Sequence, residues 1–190
     1  RNNIQGSRFN HTCRAVIVSK NYGKINEIDY PYLGFLTVFK AEILHYLCEL
    51  NNSTINEAYI LWQKALVKFN KKVYSVMEYI VNKFDVMVLL NRNPSLNYGS
   101  IARMKIAKVK KDYNDLTIAV PINVLGIFAG DYDGDALNSL ALKDRDLINA
   151  YELYDPRTNM IISRNDGLFD NNFNLIKDQM ICVHHICAIS

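Results

Sequence analysis

Three aspartates alternate in the stretch Gly130-Asp131-Tyr132-Asp133-Gly134-Asp135, directly after an apolar run from Ile118 to Phe128. A fold that accepts this sequence must bury the run and still bring three carboxylates to its end. On an extended or tightly turned backbone, alternate side chains can converge on one point. Carboxylates that close repel one another, so only a cation makes convergence favourable. All the donors are oxygens, which selects a hard ion, Mg²⁺ or Ca²⁺, over Zn²⁺. The apolar run predicts a buried strand as the element that delivers the loop.

Two simpler readings compete. Asp and Gly are favoured in solvated turns, but a solvated turn does not account for the apolar run before it. An EF-hand loop needs Gly at its sixth position and Glu at its twelfth. Counting from Asp131 puts Ala136 and Leu142 there, so the EF-hand is excluded.

Helical and strand-like periods divide the chain. Residues 33–84 read as helices: Leu36, Phe39, Ile43 and Leu47 recur at helix spacing, as do Ile60, Leu61 and Leu66, then Val73, Val76, Met77 and Ile80. Breaks fall at Asn52-Ser53 and Asn70, with Ser53 the candidate N-cap. Strands are predicted over Ala15–Ser19, Val86–Leu90, Ile101–Val109, Leu116–Val120 and Val124–Phe128, with Lys110–Asp115 as a hairpin loop. Residues 144–190 are mixed, with turns at Asp155-Pro156 and Asn165-Asp166-Gly167. The helical block interrupts the strand-rich part, so strands from both sides are expected to close one barrel. The domain reading is therefore 1–20 and 86–142 as the barrel, 33–84 as a helical insertion, and 144–190 as a mixed C-terminal segment. The apolar faces of the block from Leu33 to Phe84 exceed what one barrel covers, which marks interfaces.

Composition excludes several classes. With 190 residues, 49% of them hydrophobic, the chain is globular and can bury one core with a helical appendage. A net charge of +3 does not by itself imply nucleic-acid binding. Basic residues cluster at Arg103, Lys105, Lys108, Lys110 and Lys111, and at Lys64, Lys68, Lys71 and Lys72; the second cluster reads as a solvated face. Cys13, Cys48, Cys182 and Cys187 show no paired metal spacing and no secreted framework, so a reducing cytosol is expected. Cys182-Val183-His184-His185-Ile186-Cys187 matches no common zinc spacing and reads as an apolar element with incidental Cys and His. Lys40, Glu42 and His45 interrupt the apolar stretch from Tyr30 to Leu47, which is therefore no membrane span. No signal peptide is visible, and the first residue, Arg1, predicts a fragment or a processed end.

Two further motifs flank the aspartates. Leu89-Leu90-Asn91-Arg92-Asn93-Pro94-Ser95-Leu96 lies between a helical stretch and a strand. Pro94 disfavours helix at Asn93 and fixes a turn. A guanidinium held there is always charged and suits hydroxyl or phosphate recognition. The chain opens with Gly6-Ser7-Arg8-Phe9-Asn10-His11-Thr12-Cys13-Arg14-Ala15-Val16-Ile17, a basic turn before a strand. Either motif alone reads as an exposed basic turn.

Together, and in this order, the three motifs resemble the largest catalytic subunit of the multisubunit DNA-dependent RNA polymerases, the bacterial β′ subunit and its counterparts. That family reads GKRVDxSxRxVI, then LxNRxPxLH, then NADFDGDxM; this chain reads GSRFNHTCRAVI, LLNRNPSLN and AGDYDGDAL. Asn149 to Ile162 resembles the family stretch ending in NILSP…G, and Ile176-Lys177-Asp178-Gln179-Met180 its SQDM region. The chain departs from the pattern at Ser7, Asn10, Asn97, Ala129 and Gly130. Such drift resembles the polymerases of large bacteriophages, whose β′ equivalents are often split between genes.

The resemblance implies an α+β fold, a double-psi β-barrel with helices inserted between its early and middle strands. It implies nucleotidyl transfer with two Mg²⁺ ions, one held by Asp131, Asp133 and Asp135 and one arriving with the nucleoside triphosphate. Arg92 matches the family arginine that faces the incoming ribose, with Pro94 in the same substrate-binding motif. Arg8 and Arg14 match positions near the template strand and would contact phosphates. The family asparagine replaced by Ala129 is another sugar contact. Implied partners are a β-like subunit that supplies basic residues from a second barrel, the rest of the β′-like subunit with its bridge helix and trigger loop, DNA template, RNA product and nucleoside triphosphates. No membrane is implied, and the location is the cytoplasm, of the host cell if viral. Two alternatives remain. An RNA-silencing type of RNA-dependent RNA polymerase also carries a DxDGD loop on such a barrel, but its sequence before the triad reads differently. A non-catalytic barrel protein that assembles with a polymerase would not need the intact triad.

Overall fold

The computed structural model describes residues 11–95 and 100–159. Its centre is a closed six-stranded barrel of mixed strand directions. The strands are β1 (Thr12–Lys20), β2 (Glu27–Tyr30), β3 (Met87–Asn91), β4 (Ile101–Val109), β5 (Ile118–Pro121) and β6 (Ala136–Leu142). They close in the order β1-β5-β2-β4-β3-β6. β1 pairs with β5 and β2 with β4 in parallel, while β6 runs antiparallel to both β1 and β3. The α+β barrel with a helical insertion is as expected.

Expectations about the strands need correction, because neither β2 nor β6 is among the predicted strands. β2 has no counterpart in the periodicity, because a four-residue strand shows too little alternation to register. It inserts between β4 and β5, pairing parallel with one and antiparallel with the other. The segment from Lys110 to Asp115 is therefore not a hairpin loop but a crossing over β2.

Local sequence explains the helices. They are α1 (Tyr32–Val38), α2 (Lys40–Asn51), α3 (Ile55–Val67) and α4 (Lys71–Lys83). Thr54, rather than Ser53, caps α3, and Glu57 reaches back to complete a capping box. Asn70 caps α4 by accepting from the N–H groups of Lys72 and Val73. α4 buries Val73, Tyr74, Val76, Met77, Ile80 and Val81, the stripe that a 3.6-residue period puts on one face.

The register decides which end of the barrel the helices occupy. α4 feeds β3 at Met87, level with Leu142 at the end of β6. Asn91, at the far end of β3, is level with Asn138 near the start of β6. The helices thus stand at one mouth and the aspartate loop, just before β6, at the other. Tyr74 seals the helical mouth by donating to the Val109 carbonyl at 3.0 Å, and Trp62 Nε1 donates to Leu36 O at 3.0 Å. α3 leaves Ile55, Tyr59, Ile60 and Val67 exposed.

Buried charges are paired. Lys20 at the end of β1 meets Asp29 of β2 at 2.8 Å, and the Tyr22 hydroxyl donates to the same carboxylate. That hydrogen bond pushes Tyr22 up to about 12. Arg103 is not part of a solvated basic face: it is buried, with Nη2 2.9 Å from Asp155 Oδ2 and Nη1 2.7 Å from the Ile148 carbonyl. Arg157 grips Asp155 from the other side at 2.7 Å. This clasp holds the C-terminal helices, α5 (Arg145–Ala150) and α6 (Pro156–Asn159), against β4. Lys105 pairs with Asp85 and Lys110 with Asp115, whereas Lys108, Lys111, Lys64, Lys68, Lys71 and Lys72 are exposed. Among the described residues no helix is long and apolar enough to cross a membrane.

Candidate active site

The element that delivers the aspartates is a 3₁₀ helix, not the expected strand over Val124–Phe128. β5 stops at Pro121, and Ile122–Phe128 coils instead, burying Val124, Leu125, Ile127 and Phe128. A short buried apolar run looks the same in either conformation, which is why the sequence misassigns it. Ala129 then takes a left-handed conformation, φ 45°, and Gly130 N donates to Leu125 O at 3.3 Å, which turns the chain toward the barrel mouth. Gly134, at φ 119°, completes the turn in a conformation that glycine adopts without strain.

Asp135 is the fixed point of the loop. Its carbonyl accepts from Ile17 N at 2.9 Å, which begins the β1–β6 ladder. Its carboxylate accepts from Asp131 N at 2.9 Å and from one edge of the Arg92 guanidinium, Nε at 2.9 Å and Nη2 at 3.1 Å. The Asp131 N–H first, and Arg92 next, hold this carboxyl below the usual carboxylate range. Arg92 reaches it because β3 ends level with the start of β6. The turn that carries Arg92 is braced: Asn91 Nδ2 donates to Asn93 Oδ1 at 3.2 Å, and Ser95 Oγ to Asn91 Oδ1 at 2.8 Å. Pro94 is exposed in that turn.

Asp131 and Asp133 are exposed, and Asp131 Oδ1 accepts from Tyr132 N at 2.7 Å. Between them Tyr132 turns inward and donates its hydroxyl to Val120 O at 2.9 Å. The motif's spacing marked the carboxylates but not this anchor; the aromatic at its centre was the one signal. Arg14 is exposed on β1, opposite Asn138 of β6 and near the point where the loop enters the sheet. Arg8, Asn97, the Ile176–Met180 stretch, the turn at Asn165-Asp166-Gly167 and the Cys182–Cys187 stretch lie outside the described residues.

The donor set fits a hard cation in chemistry: the loop offers carboxylate oxygens, two of the three side chains are exposed, and Asp135 is kept ionised. The three aspartates share one loop, yet among the described residues no three Asp, Glu, His or Cys side chains are gathered into a metal-binding group. Asp135 is turned instead to Arg92.

A closed mixed barrel with an aspartate loop at one mouth and helices at the other is the class of protein that the fold and site define. No family model matches the chain. Its sequence is similar to the DNA-directed RNA polymerase subunit β′ of Helicosporidium sp. subsp. Simulium jonesii, at 27% identity over 140 residues, which cover 71% of this chain and 16% of that protein. The β′ subunit of Paenarthrobacter aurescens (strain TC1) matches at 28% over 138 residues, 72% of this chain and 10% of the relative. That of Thermosipho melanesiensis matches at 28% over 137 residues, 72% of this chain and 8% of the relative. The chain thus spans a sixth or less of the length of these relatives. These partial matches support a β′-like relationship.

Proposed function

We propose that this chain is the catalytic-barrel segment of a DNA-dependent RNA polymerase, carrying out Mg²⁺-dependent nucleotidyl transfer inside a multisubunit assembly. The observation that carries the reading is the Asp131–Asp135 loop set at one mouth of a closed barrel, in a chain similar to β′ subunits. Asp131, Asp133 and Asp135 would hold the ion, whose contribution is to stabilise the attacking and leaving oxygens of an in-line displacement.

The protein's own groups do the rest. Arg92 orients the Asp135 carboxylate through Nε and Nη2, and its Nη1 edge is the one offered to the ribose of an incoming nucleotide. Pro94 fixes the turn that presents it. Ala129 offers no side-chain hydrogen bond to the sugar, so ribose selection falls more heavily on Arg92. Arg14, and Arg8 before it, would contact template phosphates. A β-like subunit would supply basic residues opposite the loop, and the rest of a β′-like subunit the elements that close over substrate. The exposed Ile55, Tyr59, Ile60 and Val67 of α3 support such an assembly. The departures at Ser7, Asn10, Asn97, Ala129 and Gly130 support the finer placement among split polymerases of large bacteriophages, on sequence resemblance alone.

The test is Asp133→Ala in the assembled enzyme. Nucleotide addition on a DNA template should fall to background while the subunits still co-purify, because Asp133 is exposed and supports no packing. Full elongation by the variant complex would overturn the reading.

A further inference from the structure

The aspartate loop is tied to the barrel at a place that the carboxylates themselves do not explain. Ser19 of β1 and Val120 of β5 are register partners in the parallel β1–β5 pair. The Tyr132 hydroxyl reaches this pair and donates to the Val120 carbonyl at 2.9 Å. The tie is separate from the anchorage of Asp135, which uses Ile17 N, Asp131 N and Arg92. Tyr132 stands between Asp131 and Asp133 in sequence, so fixing its ring fixes the backbone from which both exposed carboxylates project. The motif that this loop resembles has phenylalanine here, which fills the same space but can neither donate nor accept.

We propose that Tyr132 is a latch that positions the Asp131 and Asp133 carboxylates for a divalent cation, by pinning the centre of the loop to β5 at Val120. Tyr132 is a positioning residue: it touches strand backbone, not the reacting atoms. Without the latch, Gly134 on one side and the Ala129–Gly130 turn on the other leave the loop free to sample arrangements in which the two carboxylates diverge. The divalent cation then has to offset the cost of ordering the loop, and apparent affinity drops by the fraction of time the loop is misplaced.

This inference rests on the catalytic reading above, and the experiment separates the two. Wild type, Tyr132→Phe and Asp133→Ala are compared in the assembled complex. Mn²⁺ binding is followed by electron paramagnetic resonance without nucleotide, and nucleotide addition is titrated with Mg²⁺. Loss of one net hydrogen bond corresponds to roughly a three- to tenfold change. Tyr132→Phe should weaken Mn²⁺ binding and raise the half-saturating Mg²⁺ by about that factor, with the rate partly recovered in excess Mg²⁺. A lower melting temperature with unmoved Mn²⁺ and Mg²⁺ curves would reduce Tyr132 to a packing residue and overturn the latch. If Asp133→Ala abolishes Mn²⁺ binding but Tyr132→Phe binds as wild type, the latch alone fails. If Asp133→Ala binds Mn²⁺ and adds nucleotides as wild type does, the catalytic reading fails and takes the latch with it.

Discussion

Replacing Arg92 with lysine keeps a positive charge at the end of β3 and removes the planar fork. In the structure the fork spends two N–H groups on Asp135, at 2.9 Å and 3.1 Å, with the two side chains only 24% and 21% exposed. An ammonium is a point charge and keeps at most one contact in that geometry. A hydrogen bond to a charged group is worth about 1.5–3 kcal/mol, and partial exposure favours the lower figure. One lost bond therefore corresponds to about a tenfold loss. The same substitution removes the guanidinium edge offered to the ribose, where a similar loss applies to the correct nucleotide alone. The expected result is a roughly hundredfold slower addition of ribonucleotides, about tenfold from each lost bond, and a roughly tenfold lower preference over the matching deoxyribonucleotides. The assay is single-nucleotide addition on one template, with both substrates measured at the same Mg²⁺. If addition slows equally for both substrates, Arg92 serves Asp135 and not the sugar. An unchanged rate together with an unchanged preference would refute the reasoning for both roles.

Two further expectations concern the scaffold. Asp155→Ala leaves the buried Arg103 guanidinium without its partner and should destabilise the chain by roughly 3–5 kcal/mol, measured by denaturant unfolding; a loss within error would show that the clasp is dispensable. Burial pushes the Asp155 carboxyl up, but hydrogen bonds from Arg157 and Arg103 outweigh it, and the net shift is downward. A carboxylate lowered on folding stabilises above its unfolded value, about 3.9, and that contribution is lost as pH falls through the folded value. The unfolding midpoint should accordingly drop steeply below about pH 4 in wild type and less so in Asp155→Ala. Thr54→Ala removes the capping box of α3 and should cost about 1 kcal/mol in denaturant unfolding; a loss within error would show that the cap is dispensable.

The sequence determined the features whose cause is local. Helix spacing in Val73, Val76, Met77 and Ile80, and the break at Asn70, are written within one or two turns of chain, and α4 forms where they say. The clustering of Asp131, Asp133 and Asp135 is equally local, as is the limit of β4 at Ile101–Val109. What the tertiary structure decided is non-local. β2 exists as a strand because β4 and β5 stand on either side of it, and four residues carry too little pattern to announce that. The run from Ile122 to Phe128 coils because the barrel closes without it, and an apolar stretch of that length is compatible with either conformation until its neighbours are fixed. Arg92 and Asp135 are 43 residues apart, and only the antiparallel register of β3 on β6 brings their fork and carboxylate together. The same holds for the tie of Tyr132 to Val120, because strand register is a property of pairing between distant segments and leaves no trace in the spacing within either one.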